Sequence, residues 1–237
     1  MLPKNPVESA LDFLWNMPEV NVVLSGMSET EQVVQNLEYA NRAHAGMLTD
    51  EETAAIIGAV MLPLLVFSFF FNIFVGYPVL VGMNRFFMEN RINGSKIGRI
   101  FWVFKSGNYF NVVKIMFLMN LKIFLWSLLF IIPGIVKSYE YYMVPYILAE
   151  NPQISCERAF ELSKQMTKGE KWKIFVLGIS FIGWIIVGFL CCCVGQFFVQ
   201  PYIEATYAEL YQVMREKAHG LGFSDYSELP GFFPEQN

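Results

Sequence analysis

The ionisable residues that stand inside long apolar stretches have the most chemistry to offer. Lys122, Lys137, Glu140, Glu204 and Glu209 are such residues, with Asn120 and Gln200 as polar neighbours. A charge at membrane depth is expensive and faces a bundle interior or water, so this set could line a polar pathway. Lys137 and Glu140 stand at i and i+3, where one helix face lets them pair. The plainer reading is interfacial snorkelling or a structural ion pair. Other chemistries find less support. His44 and His219 have no carboxylate or cysteine at metal-ligand spacing and read as loop residues. Cys191, Cys192 and Cys193 are consecutive and lack the CxxC spacing of a zinc or redox site. They read as small apolar residues at a tight turn, with S-acylation or redox sensing as the sharper alternatives. Cys156 stands alone. No phosphate-binding glycine loop, GxSxG or HExxH occurs. The expectation is no catalytic set, no metal, no cofactor and no nucleic-acid partner.

The elements that must position these residues follow from composition. The chain has 237 residues, 54% hydrophobic and only 16% charged. An average soluble domain is about 25% charged, so a soluble enzyme with an ordinary surface is disfavoured. The totals hide a split. Residues 1–52 hold 2 Lys/Arg and 9 Asp/Glu, whereas residues 53–237 hold 15 and 12. Thr53 to Asn84 is uncharged for 32 residues, and Ile174 to Ile203 for 30. Apolar runs of 18 or more residues read as transmembrane helices. Ile56 to Asn84 would be about 43 Å of helix, enough for one tilted span. Ile115 to Ala149 has the turn signal Pro133-Gly134 near its middle, and Ile174 to Tyr211 has Cys191 to Gly195 there. Each reads as a hairpin, so the expectation is five spans: one single and two hairpins.

Charge supports that count. Arg85 to Lys114 carries six Lys/Arg and one acid, Asn151 to Lys173 carries five Lys/Arg, and Arg215 and Lys217 follow. Five spans place all three segments on one face, which the positive-inside rule makes cytoplasmic. The acidic N-terminal segment then lies outside, with no signal peptide of the usual kind opening the chain. Between the hairpins, Ser155 to Lys168 reads as a short surface helix, capped by Ser155, with the stripe Ala159, Leu162 and Met166, and stopped by Gly169. It is a connector on the membrane surface or, more sharply, an anionic-lipid contact through Lys164, Lys168, Lys171 and Lys173 beside Trp172.

Several of these pieces resemble a known family. Gly76-Tyr77-Pro78-Val79-Leu80-Val81-Gly82-Met83-Asn84-Arg85-Phe86-Phe87 and Phe124 to Ile135 carry the likeness first. Pro145-Tyr146-Ile147-Leu148-Ala149-Glu150-Asn151-Pro152, Phe181-Ile182-Gly183-Trp184 and Pro201 to Tyr211 follow in order. Residues about 56–215 resemble the bacterial integral-membrane family catalogued as domain of unknown function 975. The resemblance implies a helical membrane bundle, commonly of six spans, and no established reaction. The family's first span and its preceding basic segment have no counterpart here.

Residues 1–52 read differently. Asn5-Pro6-Val7-Glu8 opens a helix with a capping-box spacing, and Pro18 ends it. Val20 to Leu24 reads as a buried strand. Ser28 with Glu31, and Thr49 with Glu52, signal two further helix starts. The order reads as a fragment of an α/β fold. Trp15 to Ser28, with Glu31, Gln32 and Asn36, is similar to the last strand and helix of aldo/keto reductases. That resemblance implies contact of Ser25, Gly26, Met27, Gln32 and Asn36 with the phosphate and adenine end of NADP. The strands carrying the family's catalytic Asp, Tyr, Lys and His are absent, so it implies a vestigial fragment from a gene fusion or a misplaced gene start.

The sequence therefore reads as a mainly α polytopic membrane bundle over 53–215, behind a small α/β fragment at 1–52 and before a polar tail at 216–237. It sits in the bacterial inner membrane with its basic loops and C-terminus cytoplasmic. The expected role is structural, interaction or accessory rather than enzymatic. A transporter or lipid-handling protein and an inactive reductase fragment are the alternatives.

Overall fold

The computed structural model describes residues 5–20, 22–23, 26–94, 96–190 and 194–232. They are mainly helical, and the chain divides into two compact units, Met1–Phe70 and Phe71–Asn237.

In the first unit α1 (Pro6–Trp15) starts as the sequence reads. The Asn5 side chain accepts the Val7 N–H at 3.1 Å, and Pro6 sits in the first turn. Glu8 does not close a capping box. It pairs with Arg42 at the end of α2 (Thr30–Arg42), and the same guanidinium lies 3.4 Å from the buried Asp12. Asn16 ties down the return: its carbonyl accepts the Gly46 N–H at 3.0 Å and its side chain the Leu48 N–H at 2.8 Å. α2 begins two residues after Ser28, whose N–H donates to the Gln32 side chain at 3.1 Å. The Thr49–Glu52 signal is a complete capping box, with the Glu52 N–H on Thr49 Oγ1 at 3.2 Å and the Thr49 N–H on Glu52 Oε2 at 3.0 Å. It opens α3 (Asp50–Phe71).

The expected α/β fragment is corrected here. Val20, Val22 and Val23 form no strand, and Asn21 and Leu24 lie outside the described residues. No strand occurs among the described residues. A solitary strand would leave both edges without backbone partners, and two helices joined by Arg42 and Asn16 need none.

In the second unit a π-helical segment, Asn72–Gly76, leads into α4 (Tyr77–Asn93). Pro78 has no N–H to give the preceding turn, and the Tyr109 hydroxyl donates to the Phe74 carbonyl at 2.6 Å instead. A 3-10 segment, Ile97–Lys105, packs against α4 at Gly82. A Cβ at Gly82 would meet the Ile100 carbonyl oxygen at 1.9 Å, so only glycine permits this approach. Then come α5 (Tyr109–Leu129), α6 (Ile131–Glu140), α7 (Val144–Glu150), α8 (Cys156–Thr167), α9 (Lys171–Ser180), α10 (Ile182–Leu190) and α11 (Gln196–Gly220). The core joins Val112 and Met116 of α5, Ile147 of α7, Leu162 of α8 and Met214 of α11.

The first hairpin turns earlier than Pro133-Gly134. The helix breaks at Phe130, which is extended at φ −157° and ψ 146°. Pro133 falls in the first turn of α6, where its missing N–H costs nothing. Gly134 instead makes the two arms meet: a Cβ there would lie 2.1 Å from Ser127 Oγ and 2.8 Å from Ser127 Cα. α10 and α11 form the arms of the second hairpin, one ending at Leu190 and the other starting at Gln196, and Cys191, Cys192 and Cys193 lie outside the described residues. Gln196 Nε2 donates to the Ile185 carbonyl at 2.8 Å across it.

Among the described residues three helices are long and apolar enough to cross a membrane: Asp50–Ile92, Tyr109–Leu129 and Lys171–Leu190. α6, at 10 residues, reaches only about 15 Å and cannot cross a hydrocarbon core of about 30 Å.

Candidate functional site

The residues singled out for chemistry are distributed over several places in the second unit. Lys137 and Glu140, on the last turn of α6, do pair, at 2.5 Å. A third partner comes from outside the hairpin: Lys171 Nζ lies 2.6 Å from the other carboxylate oxygen. The Glu140 backbone is also held, since Ser163 Oγ of α8 donates to its carbonyl at 2.7 Å and Thr167 Oγ1 at 3.4 Å. Glu140 is buried, with two ammonium groups on its carboxylate. Lys122 lies close by on α5, its ammonium 3.8 Å from the centre of the Phe160 ring. Asn120 donates to the Met116 carbonyl of its own helix at 2.9 Å.

Glu204 and Glu209 are elsewhere. Glu204 accepts from Gln200 at 2.9 Å within α11, and Glu209 pairs with Arg91 of α4 at 2.5 Å. The five residues do not meet in one pathway. They divide into a base around Glu140 and Lys122 and two separate contacts on α11.

A buried charged group of the second unit is one that the sequence reading passed over. Glu150, at the end of α7, accepts the Tyr211 hydroxyl at 2.7 Å and the Gly231 N–H at 2.5 Å, with Arg215 Nη1 at 3.5 Å. Gly231 has φ 78°, and a Cβ there would press on the Arg215 guanidinium at 2.6 Å. Next to it, Arg85 donates to the Ala149 carbonyl at 2.9 Å and stacks on Trp102. Asn151 donates to the Glu228 carbonyl at 3.0 Å, and Arg158 grips the Glu228 carboxylate at 2.7 and 2.9 Å. Those bonds hold the Arg158 guanidinium above its ordinary pKa. Residues 223–231 are therefore strapped across α7 and α8. A signal for this was present: Ala208, Tyr211, Arg215 and Ala218 repeat at three- and four-residue spacing, with an arginine inside a buried stripe.

α8 is capped as read, with Ser155 Oγ accepting the Arg158 N–H at 3.3 Å, and Gly169 stops the chain at φ 81°. Its stripe does not rest on a membrane surface: Ala159, Leu162 and Met166 are buried in protein. Its outer face is polar. Lys164, Lys168, Gly169, Lys171 and Trp172 line a surface recess of about 340 Å³. Lys171 is engaged with Glu140, and Lys173 with Glu170 at 2.8 Å. Hydrogen bonds from Lys173 and Lys217 hold the Glu170 carboxyl below its ordinary range. Glu161 is taken by Arg158 and Gln165. Lys164 and Lys168 have no acidic partner among the described residues.

His219 lies on the last turn of α11, not in a loop, with ring nitrogens 3.2 Å from the Ser224 and Leu229 carbonyls. His44 is 3.2 Å from the Arg42 carbonyl. Among the described residues no group of three His, Cys, Asp or Glu could hold a metal. Gly26 and Met27 are exposed, Gln32 binds Ser28, Asn36 lies on α2, and Ser25 is outside the described residues.

Residues 129–218 match a known family. Its description is "Protein of unknown function (DUF975)". The DUF975 match runs from the last residue of α5 into α11, and so contains Lys137, Glu140, Glu150, the lysine recess and Tyr211. The earlier resemblance holds over that stretch. No curated protein and no solved structure matches the chain. Nothing supports an aldo/keto reductase fragment at residues 5–55. The chain is a mainly helical protein with helices fit to cross a membrane and a DUF975 segment of unknown activity.

Proposed function

We propose that this chain is a multi-pass membrane protein with a structural or accessory role and no catalysis of its own. One observation carries the reading. The buried carboxylate Glu140 is held by Lys137 of its own helix and Lys171 of α9, and Glu150 by Tyr211 of α11 and the Gly231 N–H of the C-terminal strap. Carboxylates so engaged hold elements together. The test is membrane yield. In the structural role Glu140→Gln lowers yield and thermal stability together. Unchanged yield with loss of a transport phenotype would favour a polar pathway instead.

The topology proposed is one single segment followed by two hairpins, in a bacterial inner membrane with the basic loops and C-terminus cytoplasmic. Support comes from bonds between segments. Asn111, at the start of α5, donates to the Pro152 and Ile154 carbonyls at 2.8 and 3.0 Å. Residues 150–158 bond the C-terminal strap through Glu150, Asn151 and Arg158. Segments that share hydrogen bonds lie on one side of a bilayer. Alkaline carbonate extraction should leave the chain in the pellet.

A lipid-handling reading has its own observation, the recess beside α8. Lys164 and Lys168 stand at i and i+4 without a counter-ion, a repulsive spacing that an anionic headgroup would relieve. Lys171, Lys173 and interfacial Trp172 extend the same surface. Phosphatidylglycerol should protect Lys164 and Lys168 from acetylation more than phosphatidylcholine does.

A further inference from the structure

We infer that the α5–α6 hairpin is re-entrant: it dips into one leaflet and leaves by the face it entered. The inference rests on the membrane reading above, and it concerns depth rather than the presence of a membrane.

By length and composition Tyr109–Leu129 could cross. The fold removes its first half from lipid. Val112, Val113, Ile115, Met116 and Met119 are buried in the core of the second unit. α8 marks the level at which that burial ends. Phe160 of α8 sits under the Lys122 ammonium, and Ser163 and Thr167 hold the Glu140 carbonyl. The opposite face of α8 exposes Glu157, Glu161, Lys164 and Lys168. Four charged side chains on one short helix require water or headgroups, not hydrocarbon.

Hydrocarbon can therefore begin only beyond Lys122 on one arm and Lys137 on the other. From Lys122 to the break at Phe130 is about 12 Å, and from Lys137 back to it about 10 Å. The hydrocarbon core is about 30 Å thick, so the tip reaches no further than about the midplane. The surface of this short piece fits that place. Leu128, Phe130, Ile131 and Ile132 are 69–75% exposed. Two lysines ring the base, with Trp126 5.4 Å from Lys137. The Phe130 N–H reaches the Trp126 carbonyl at 3.1 Å, Ser127 Oγ reaches the Ile123 carbonyl at 2.9 Å, and Pro133 has no N–H. The occupant that fits a tip of this depth with a cationic collar is the acyl region of one leaflet.

The experiment uses the full chain with its four cysteines replaced, reconstituted in liposomes of phosphatidylcholine and phosphatidylglycerol. Single spin labels are placed at Ile131→Cys, at Leu121→Cys and, as a second tip position, at Ile132→Cys. Their accessibility to oxygen and to a water-soluble nickel chelate reports depth. Tip labels about 12 Å deeper than the Leu121 label, open to oxygen and closed to nickel from either side, bear the inference out. A tip label open to nickel from the opposite side means a full crossing and overturns it. A tip label closed to both reagents means that a second copy or another protein covers the tip, and overturns it as well. Release of the unlabelled protein by carbonate would instead sink the membrane reading itself.

Discussion

Glu150 is a buried carboxylate on which α7, α11 and the C-terminal strap converge. It is almost fully buried, and its two oxygens serve Tyr211, Arg215 and Gly231. Removing one partner of a buried ion pair strands the other charge, which costs about 3–5 kcal/mol. Glu150→Ala should therefore lower the thermal midpoint in mild detergent strongly, as followed by circular dichroism. Tyr211→Phe removes a single hydrogen bond to a charged group and should cost about 1.5–3 kcal/mol. A smaller loss for Glu150→Ala than for Tyr211→Phe would mean that Arg215 finds water or another acceptor. Glu170 behaves differently because it is nearer the surface. Its carboxyl is held below the ordinary range by Lys173 and Lys217. A depressed carboxyl adds stability above its unfolded pKa and loses it as pH falls through the lower folded value. The difference in midpoint between the wild type and Glu170→Gln should thus be present at neutral pH. It should shrink on acidification through the carboxylate range, and it is worth only about 0.2–1 kcal/mol. A difference that grows with acid would reverse the sign and remove the assignment.

Two elements depend on glycine for close approach, and both can be tested by one methyl group. At Gly134 the obstacle to a Cβ includes Ser127 Cα at 2.8 Å, and at Gly82 it is the Ile100 carbonyl oxygen at 1.9 Å. Backbone cannot swing aside as a side chain can, so each Gly→Ala change should cost about 1–3 kcal/mol as overpacking. Gly183→Ala, with open space around it, is the control that should leave the midpoint unchanged. Equal midpoints for all three would mean that α5–α6 and α4 relax freely. These contacts also mark what the sequence could reveal. Helix starts at Asn5, Thr49 and Ser155 were legible, because a cap is a local spacing. The apolar helices were legible from their length, and the Lys137–Glu140 pair from i, i+3 geometry. The break at Phe130 rather than Pro133 was not, since proline is as acceptable inside a first turn as beside a bend. The strand at Val20 to Leu24 failed because a β-rich run becomes a strand only when a partner exists. The strap onto Glu150 joins residues 81 positions apart, and no local pattern encodes that.

At the scale of the molecule, the bonds among separated segments constrain how the second unit can meet a bilayer. The start of α5 is bonded to residues 152–154, and residues 150–158 to the strap that follows α11. The 3-10 segment joins the same group, because Arg85 stacks on Trp102 while donating to the Ala149 carbonyl. In the proposed topology each hairpin therefore returns to the face it left, whatever depth it reaches. A three-crossing path that used Tyr109–Leu129 as a lone span would place residues 150–158 opposite the 3-10 segment, which those bonds forbid. Single cysteines at Ile97, Gln153 and Leu221, all exposed, sample the three segments in a chain otherwise free of cysteine. An impermeant maleimide should label all three from one side of the membrane and none from the other. The positive-inside rule names that side as cytoplasmic, so labelling should require permeabilised cells. Labelling of Gln153→Cys in intact cells, with Ile97→Cys and Leu221→Cys silent, would break the shared face and with it the two-hairpin topology. Labelling of all three in intact cells would keep the hairpins and invert the protein.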